Sequence, residues 1–320
     1  MQPLPVNRYN IQVNLLSPLA DLLKPKTKVG SRNMQYKTID YQVQDLILTL
    51  SLNRPEQMNS FTVEMANELV HAFKRASEDD DVSVIVVTGN GRAFCAGMDL
   101  TREGNVFGLD ESKKPNLADM QSNETIPGVS DTGGTVNLSI YDCKKPVIAA
   151  INGAAVGVGA TMLAAMDIRL ASEKAKIGFV FEKIGITPEA CSSWFLPRIV
   201  GISQALEWVY TGEIFDAQKA QESGFVRSVH APEDLMEAAY TLARSIAKKS
   251  QVSITLARQM MLRLSAAQTP REAHNIDSLA IFYASQLDGK EGVKSFLEKR
   301  EPNFSSKSST DMPSFYPWWD

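Results

Sequence analysis

Two apolar runs in this chain are each followed directly by a stretch of glycine and small residues. The first run, residues 83–89, precedes the sequence GRAFCAGMDL, and the second, residues 146–151, precedes NGAAVGVGATMLAAMD. Loops that follow strands are normally polar, because their backbone groups stay hydrated. Small residues at these two places instead leave the main chain open to close approach by another group. Either tight packing of a helix on a sheet or a site built from backbone atoms would account for them.

The pattern around these runs predicts an α/β protein. Residues 46–52 have the composition of a strand, residues 60–78 carry apolar side chains at helical spacing, and residues 83–89 form the next strand. This order of strand, helix and strand is typical of an α/β layer. Residues 101–145 are polar and lack sustained periodicity, so they predict either an active-site flap or a disordered insertion. Four helices are predicted near the C-terminus, at residues 235–248, 254–267, 271–287 and 290–298.

The composition narrows the classes of function. A chain of 320 residues with 44% hydrophobic and 22% charged residues is expected to be globular. The formal net charge of -4 disfavours nucleic acid and acidic membranes as partners, and no apolar run is long enough to span a membrane. We expect no metal site, because metal-ligand spacing is absent among Cys95, Cys143, Cys191, His71, His230 and His274.

The two ends of the chain differ from the rest. Residues 1–34 are rich in basic side chains and are predicted to be an N-terminal extension, either a cleavable transit segment or a basic arm. Residues 301–320 form an aromatic tail without a peroxisomal tripeptide, and we expect this tail to pack on the core or on a neighbouring subunit.

The odd number of cysteines favours an intracellular protein and leaves mitochondrial, peroxisomal and cytoplasmic locations open.

The glycine run at residues 153–159 allows three interpretations. A dinucleotide-binding loop would follow a strand in this way, but Gly157 and Gly159 would then require a small residue in place of Met162. Close packing of a small-residue helix on the sheet requires no ligand. In the third interpretation each glycine region opens a helix after a buried strand, so that each directs a backbone N–H outward. Two such donors meeting at one oxygen form an oxyanion hole.

The segments GRAFCAGMDL, KKPVIAAINGAAVGVGATMLAAMDIRLASEKAKIGF and EWVYTGEIFDAQKAQESGFV resemble successive blocks of the crotonase superfamily, the enoyl-CoA hydratase/isomerase family. The resemblance implies an α/β protein of the crotonase (ClpP-like) fold, with a core of repeated ββα units at residues 35–230. It implies a C-terminal helical trimerisation region at residues 231–300, and therefore a homotrimer or homohexamer. It also implies an acyl-CoA thioester substrate, with coenzyme A as part of that substrate and no other cofactor.

The resemblance further assigns roles to particular residues. The backbone N–H groups of Met98 and Val158 would hold the thioester oxygen while negative charge develops on it, each contributing roughly 3 kcal/mol. Many family members have glycine at the position of Val158, a difference that leaves the backbone donor in place. The neighbouring substrate-binding positions are Ala96, Gly97, Asp99, Leu100, Gly157, Gly159, Thr161 and Phe181.

The choice of reaction depends on the available acids. Hydration in this family uses two glutamates, and the corresponding positions here are Thr161 and Phe181, with Glu182 one residue along. The segment around Glu189 resembles the family's Δ3,Δ2-enoyl-CoA isomerases, in which one glutamate moves a proton between C2 and C4. The pair Pro188-Glu189 would equally suit the first turn of a helix. An apolar pocket would raise the pKa of Glu189, whereas a helix start would lower it.

Isomerisation with Glu189 as the proton shuttle is therefore the predicted function. One alternative is a hydratase or another crotonase-type lyase or hydrolase, which would use the same oxyanion hole. A second alternative is a non-catalytic subunit that binds acyl-CoA. A nicotinamide-dependent oxidoreductase is a more distant interpretation of the glycine run.

Overall fold

The structure is a computed structural model that describes residues 36–101, 103–121 and 125–319. Within these residues, ten strands form two sheets and ten helices pack around them. The mixed α/β class predicted from the sequence is confirmed. The predicted N-terminal extension at residues 1–34 lies outside the described residues. The strands are β1 (Ile39–Gln44), β2 (Ile47–Leu52), β3 (Val84–Gly89), β4 (Ala93–Cys95), β5 (Val147–Ile151), β6 (Ala154–Val156), β7 (Ile168–Ser172), β8 (Lys176–Gly178), β9 (Ile214–Asp216) and β10 (Ser228–His230).

The larger sheet has the strand order β1-β2-β3-β5-β7-β10. Its edge strand β1 is antiparallel to β2, and the remaining neighbours are parallel, with Val86 opposite Ile148 at the centre. Every residue of β3 and β5 is buried. Burial on both faces explains why these strands are continuous apolar runs without alternation.

The smaller sheet has the order β4-β6-β8-β9. Strands β4, β6 and β8 directly follow β3, β5 and β7, so the chain passes three times from the larger sheet to the smaller one. The prediction that residues 91–100 open a helix is wrong, because Ala93 and Cys95 pair with Ala154 and Ala155 in this second sheet. The small residues allow two main chains to lie side by side here.

The helices follow these strand pairs and complete repeated ββα units. Helix α1 begins after Thr62, whose side chain accepts a hydrogen bond from the N–H of Met65, as its sequence predicts. The four C-terminal helices are also confirmed. The helices are α1 (Val63–Glu78), α2 (Thr132–Asp142), α3 (Val158–Ala165), α4 (Ser192–Val200), α5 (Ile202–Thr211), α6 (Ala217–Glu222), α7 (Leu235–Ala247), α8 (Gln251–Leu264), α9 (Pro270–Ala284) and α10 (Asp288–Glu298).

Helix α2 corrects one part of the expectation that residues 101–145 are a flap or a disordered insertion, because residues 132–142 are helical. The side chain of Asp131 caps this helix by accepting a hydrogen bond from the N–H of Gly134. Two glycines in the first turn lower helix propensity, which explains why the sequence resembles a loop. The helix contacts both α1 and α3, and Val136 and Ile140 lie in the core.

The C-terminal part of the chain packs on the core. Helix α7 covers one face of the larger sheet, where Leu235 joins a cluster with Val84 and Ile148. Helix α8 is anchored by buried Arg258, which donates hydrogen bonds to three carbonyl groups at the end of α2 and just after it, and to the carboxylate of Asp167. Within the described residues, no helix is long and apolar enough to cross a membrane.

The aromatic tail packs on this chain's own helices. Phe315, Tyr316 and Trp318 contact a small cluster that includes Leu256, and the ring of Trp319 lies 3.5 Å from the guanidinium carbon of Arg263. The expected contact between tail and core is thereby observed.

Candidate active site

The N–H of Met98 is left without a partner by the geometry of its loop. Phe61 forms a parallel bridge with this loop: its N–H donates to the carbonyl of Gly97 at 2.7 Å, and its carbonyl accepts from the N–H of Asp99 at 2.9 Å. Because successive N–H groups of an extended chain point to opposite sides, the N–H of Met98 points away from Phe61. In the described part of the chain it has no acceptor.

The N–H of Val158 is the second such donor. Val158 is the first residue of α3, where backbone N–H groups have no acceptor within the helix. Gly157 precedes it with a positive φ of 55°, and its carbonyl accepts from the N–H groups of Ala160 and Thr161. No described residue accepts a hydrogen bond from the N–H of Val158.

Two glycines bring these donors together. A Cβ on Gly97 would lie 3.2 Å from the carbonyl oxygen of Val156, and one on Gly157 would lie 3.9 Å from the Cα of Gly97. Gly97 also has a φ of 103°, which an L side chain rarely adopts. The loop after β4 and the start of α3 therefore meet at their main chains, and glycine is required for this contact.

Met98 and Val158 line a single cavity of about 140 Å³. Glu189 contributes a carboxyl group to walls that are otherwise mainly apolar. Several apolar lining residues were not predicted. Val180, Ile184 and Ile186 follow β8 closely, and this run of apolar side chains is a signal that could have indicated them. The lining residues are Ala96, Gly97, Met98, Leu100, Phe107, Val156, Gly157, Val158, Val180, Phe181, Ile184, Ile186 and Glu189.

Three of the predicted site residues do not line this cavity. Asp99 forms an ion pair with Arg54 at 2.8 Å, and hydrogen bonds from Thr101 and Arg54 lower the pKa of Asp99 to about 2. Gly159 packs against the carbonyl of Cys95, where a Cβ would overlap it. Thr161 is fully buried. Asp99 and Gly159 shape the loop and the helix that hold the donors.

Glu189 lies in the loop before α4 and not in the first turn of that helix. Ala190 and Cys191 follow it with φ values of 52° and 56°, and α4 begins only at Ser192. The alternative of an acid in the first helical turn is therefore wrong. Asn137 fixes the turn by donating to the carbonyl of Ala190 at 2.5 Å, and Asp131 accepts from the N–H of Ala190 at 3.2 Å.

The carboxyl group of Glu189 has an altered acidity. Burial, followed by the negative charge of Asp131, raises the pKa of Glu189 to about 8. Thr161 donates from its hydroxyl to Oε1 of Glu189 at 3.0 Å and partly opposes this shift. The sequence suggested two opposing effects on the pKa of Glu189, burial and the start of a helix. Burial prevails, because α4 begins only at Ser192 and its first N–H groups do not reach the carboxyl group.

Asp131, Gly133 and Asn137 were missed by sequence reasoning. A Cβ at Gly133 would overlap Oε2 of Glu189, so the first turn of α2 is glycine to admit this carboxyl group. The sequence did contain a signal for this helix start. Asp131 is an acid that can cap a helix, and Gly133 and Gly134 follow it closely. Among the described residues, no group of three or more His, Cys, Asp or Glu side chains could hold a metal ion.

Two backbone N–H groups without described acceptors, in one mainly apolar cavity with a glutamate of raised pKa, are an arrangement found in enzymes that stabilise an oxyanion during proton transfer. The chain belongs to the enoyl-CoA hydratase/isomerase family, whose sequence profile matches residues 42–307. The resemblance to the crotonase superfamily and the α/β crotonase fold are confirmed.

Individual relatives carry different reaction names. The chain is 40% identical to the enoyl-CoA hydratase ACTT3 of Alternaria alternata over 81% of this chain and 83% of that protein. It is 33% identical to the 1,2-epoxyphenylacetyl-CoA isomerase of Escherichia coli over 82% of this chain and 95% of that protein. A crystal structure of an enoyl-CoA hydratase from Bacillus anthracis superposes with a TM-score of 0.74 at 30% identity, covering 84% of this chain and 99% of that one.

Proposed function

We propose that this protein moves the double bond of an enoyl-CoA thioester, with Glu189 carrying the proton between C2 and C4. The observation that carries the proposal is that Glu189 lines the same cavity as Met98 and Val158, whose backbone N–H groups lack acceptors among the described residues. A base and an oxyanion hole at one cavity are the two components that proton abstraction next to a carbonyl requires.

The proposed mechanism has two proton transfers. The thioester oxygen of a 3-enoyl-CoA accepts hydrogen bonds from the N–H groups of Met98 and Val158. The Glu189 carboxylate removes a proton from C2, and the electron pair moves onto the thioester oxygen as a dienolate. Glu189, now a carboxylic acid, delivers a proton to C4, the charge leaves the oxygen, and the double bond lies between C2 and C3. Each backbone donor contributes roughly 3 kcal/mol to the stability of the charged intermediate.

The acidity of Glu189 suits this cycle. A shuttle must exist both as carboxylate and as carboxylic acid, and a group with a pKa near the working pH exchanges its proton most effectively. With its pKa raised to about 8, Glu189 is a stronger base than an exposed glutamate and still partly ionised at neutral pH. The mainly apolar cavity supports the reaction by excluding water from the dienolate.

Hydration of a 2-enoyl-CoA is the second candidate function. It is favoured by the names of relatives such as ACTT3, described above as an enoyl-CoA hydratase. Against it, Thr161 and Phe181 stand where the family's hydratases have glutamates, and Glu189 is the single carboxyl group among the cavity-lining residues described. Two acids would normally share the tasks of activating water and protonating C2.

The experiment compares wild type with Glu189→Gln on 3-enoyl-CoA and 2-enoyl-CoA. Isomerisation predicts that wild type interconverts the two without forming 3-hydroxyacyl-CoA, and that the variant loses about a thousandfold in rate while still binding the thioester. Glu182→Gln is the matched control, because Glu182 is exposed and is not among the cavity-lining residues. Formation of 3-hydroxyacyl-CoA would establish hydration instead. Binding without any turnover would establish a non-catalytic subunit.

We also propose that the protein assembles as a homotrimer, alone or paired into a hexamer. Helices α9 and α10 support this proposal, because they carry large apolar side chains in exposed positions, including Ile281, Val293, Phe296 and Leu297. Another copy of the chain would cover a patch of this kind. Mass measurement by light scattering tests it.

A further inference from the structure

A second cavity, of about 650 Å³, lies beside the loop that carries Glu189. Cys191 belongs to its walls, as do residues from α2, α8 and the aromatic tail. Asp131 is exposed there, the side chain of Asp142 is 62% exposed and Leu138 is 50% exposed, so this cavity is open to water. The lining residues are Met120, Thr125, Val129, Ser130, Asp131, Gly134, Thr135, Leu138, Tyr141, Asp142, Cys191, Arg263 and Trp319.

Asp131 connects the two cavities. Its Oδ1 accepts hydrogen bonds from the N–H groups of Gly134 and Ala190, which hold the carboxyl group in place. The same carboxyl group is a hydrogen-bond partner of the Glu189 carboxyl group once one of the two is protonated. Glu189 therefore meets substrate on one side and an acid in contact with solvent on the other.

The capping hydrogen bonds of Asp131 do not require a charged residue. Asn and Ser cap helices about as well as Asp, and neither would place a second negative charge against a partly buried glutamate. The negative charge of Asp131 contributes to the raised pKa of Glu189, so the ionised form of Glu189 is less stable beside this acid. An acid at position 131 therefore places a negative charge beside Glu189, which Asn or Ser would avoid while capping the helix equally well.

We propose that Asp131 exchanges protons between Glu189 and the solvent of the second cavity during turnover. The step rests on the proposed isomerase chemistry. After Glu189 has taken a proton from C2, it passes that proton to the Asp131 carboxylate, which releases it to water. A proton from solvent returns by the reverse route and is delivered to C4. Only protons move in these steps. The summed charge of Glu189, Asp131 and water therefore stays constant while a proton passes from one to the next.

The other titratable groups that face Glu189 are thiols. Burial raises the pKa of Cys95 to about 12 and raises the pKa of Cys191, so both thiols keep their protons near neutral pH. Thr161 is fully buried, and its hydroxyl group contacts Glu189 and the carbonyl of Val158. Among the residues described, Asp131 is the acid that joins Glu189 to the second cavity.

The test measures deuterium in the 2-enoyl-CoA formed from 3-enoyl-CoA in D₂O, expressed per product molecule. Asp131→Asn can keep the hydrogen bonds from Gly134 and Ala190 through its amide oxygen, and Asp131→Ser keeps the cap without a carboxyl group. Both variants are expected to incorporate several-fold less deuterium than wild type. Asp142→Asn, which removes an acid from the same cavity without contact to Glu189, is the control and should match wild type. Undiminished incorporation in a folded Asp131 variant would overturn the proposal.

Two further readouts separate the possible failures. Removing the charge of Asp131 should lower the pKa of Glu189 and move the acid limb of the rate profile to lower pH, an effect that a cap alone would not cause. Exchange of the C2 protons of butanoyl-CoA with D₂O requires the base and the oxyanion hole but no double-bond movement. If wild type exchanges these protons without isomerising 3-enoyl-CoA, the isomerase proposal fails, and slower exchange in the Asp131 variants still supports the proton route.

Discussion

The hydroxyl oxygen of Thr161 lies 3.0 Å from Oε1 of Glu189 and 3.1 Å from the carbonyl oxygen of Val158. A hydroxyl group donates one proton and can accept another. Thr161 can therefore donate to Glu189 while that residue is a carboxylate. When Glu189 is a carboxylic acid, Thr161 can accept from it and donate to Val158. Both protonation states of the proposed shuttle are satisfied without movement of a heavy atom.

Thr161→Val should raise the pKa of Glu189. The substitution removes the hydrogen bond that favours the carboxylate and keeps the shape of a fully buried side chain. The acid limb of kcat/KM against pH for 3-enoyl-CoA is then expected to move to higher pH. Thr161→Ser retains the hydroxyl and serves as the control. Coincident profiles for wild type and Thr161→Val would mean that the hydroxyl does not stabilise the carboxylate.

Glu189→Gln should stabilise the protein at alkaline pH. An unperturbed glutamate has a pKa of 4.5, whereas burial raises the pKa of Glu189 in the folded protein to about 8. The folded state therefore binds more protons between these values, and wild type loses stability as the pH rises through them. Glutamine has no such dependence. The free energy of unfolding, measured with urea at pH 5 and pH 9, should favour the variant increasingly, by up to a few kcal/mol. A constant difference between the two proteins would contradict the raised pKa.

Asp99→Asn should lower the free energy of unfolding near neutral pH and have less effect in acid. Hydrogen bonds from Thr101 and Arg54 lower the pKa of Asp99 from 3.8 to about 2, so its contribution is present above pH 3.8 and is lost as the pH falls toward 2. Wild type should thus exceed the variant in free energy of unfolding at pH 6, and the difference should shrink in acid. Equal stability at pH 6 would show that the ion pair with Arg54 contributes nothing.

Gly133→Ala should reduce turnover by displacing Glu189. The new Cβ would overlap Oε2 of Glu189 and approach Val158 Cγ2 to 3.0 Å, and misplacement of a reacting group by about 1 Å can cost about 100-fold in kcat. Gly292→Ala is the control, since its Cβ would meet only Phe304 at an ordinary 3.6 Å within helix α10. Wild-type kcat in Gly133→Ala would show that the carboxyl group does not occupy this position during turnover.

The larger sheet can be predicted from the sequence because β3 and β5 are buried on both faces and therefore appear as apolar runs. The three-residue strands β4 and β6 are too short to show any periodicity, so the second sheet cannot be predicted in the same way. Helix α2 was missed for a different reason. Gly133 is required by the side chain of Glu189, which is distant in the sequence, and a local pattern does not contain that information.

The site shows the same division. Met98 and Val158 can be assigned from family blocks, and the glycines beside them have a local rationale in close backbone contact. Asp131 cannot be assigned in this way, because its contact with Glu189 depends on how α2 packs beside the loop before α4. Periodicity identifies elements, whereas the packing of distant elements decides which acids meet.

Replacing both Phe296 and Leu297 with serine should lower the molecular mass of the assembly. Phe296 and Leu297 on α10 are 81% and 74% exposed, and Ile281 on α9 is 67% exposed. Together they form an exposed apolar face that another copy of the chain would cover. Light scattering of wild type is expected to give the mass of a trimer or hexamer, and the double variant a smaller mass. Leu117→Ser is the control, because Leu117 is 82% exposed but lies outside this face. An unchanged mass in the double variant would place the interface elsewhere, since loss of two large apolar contacts from a subunit interface weakens it strongly.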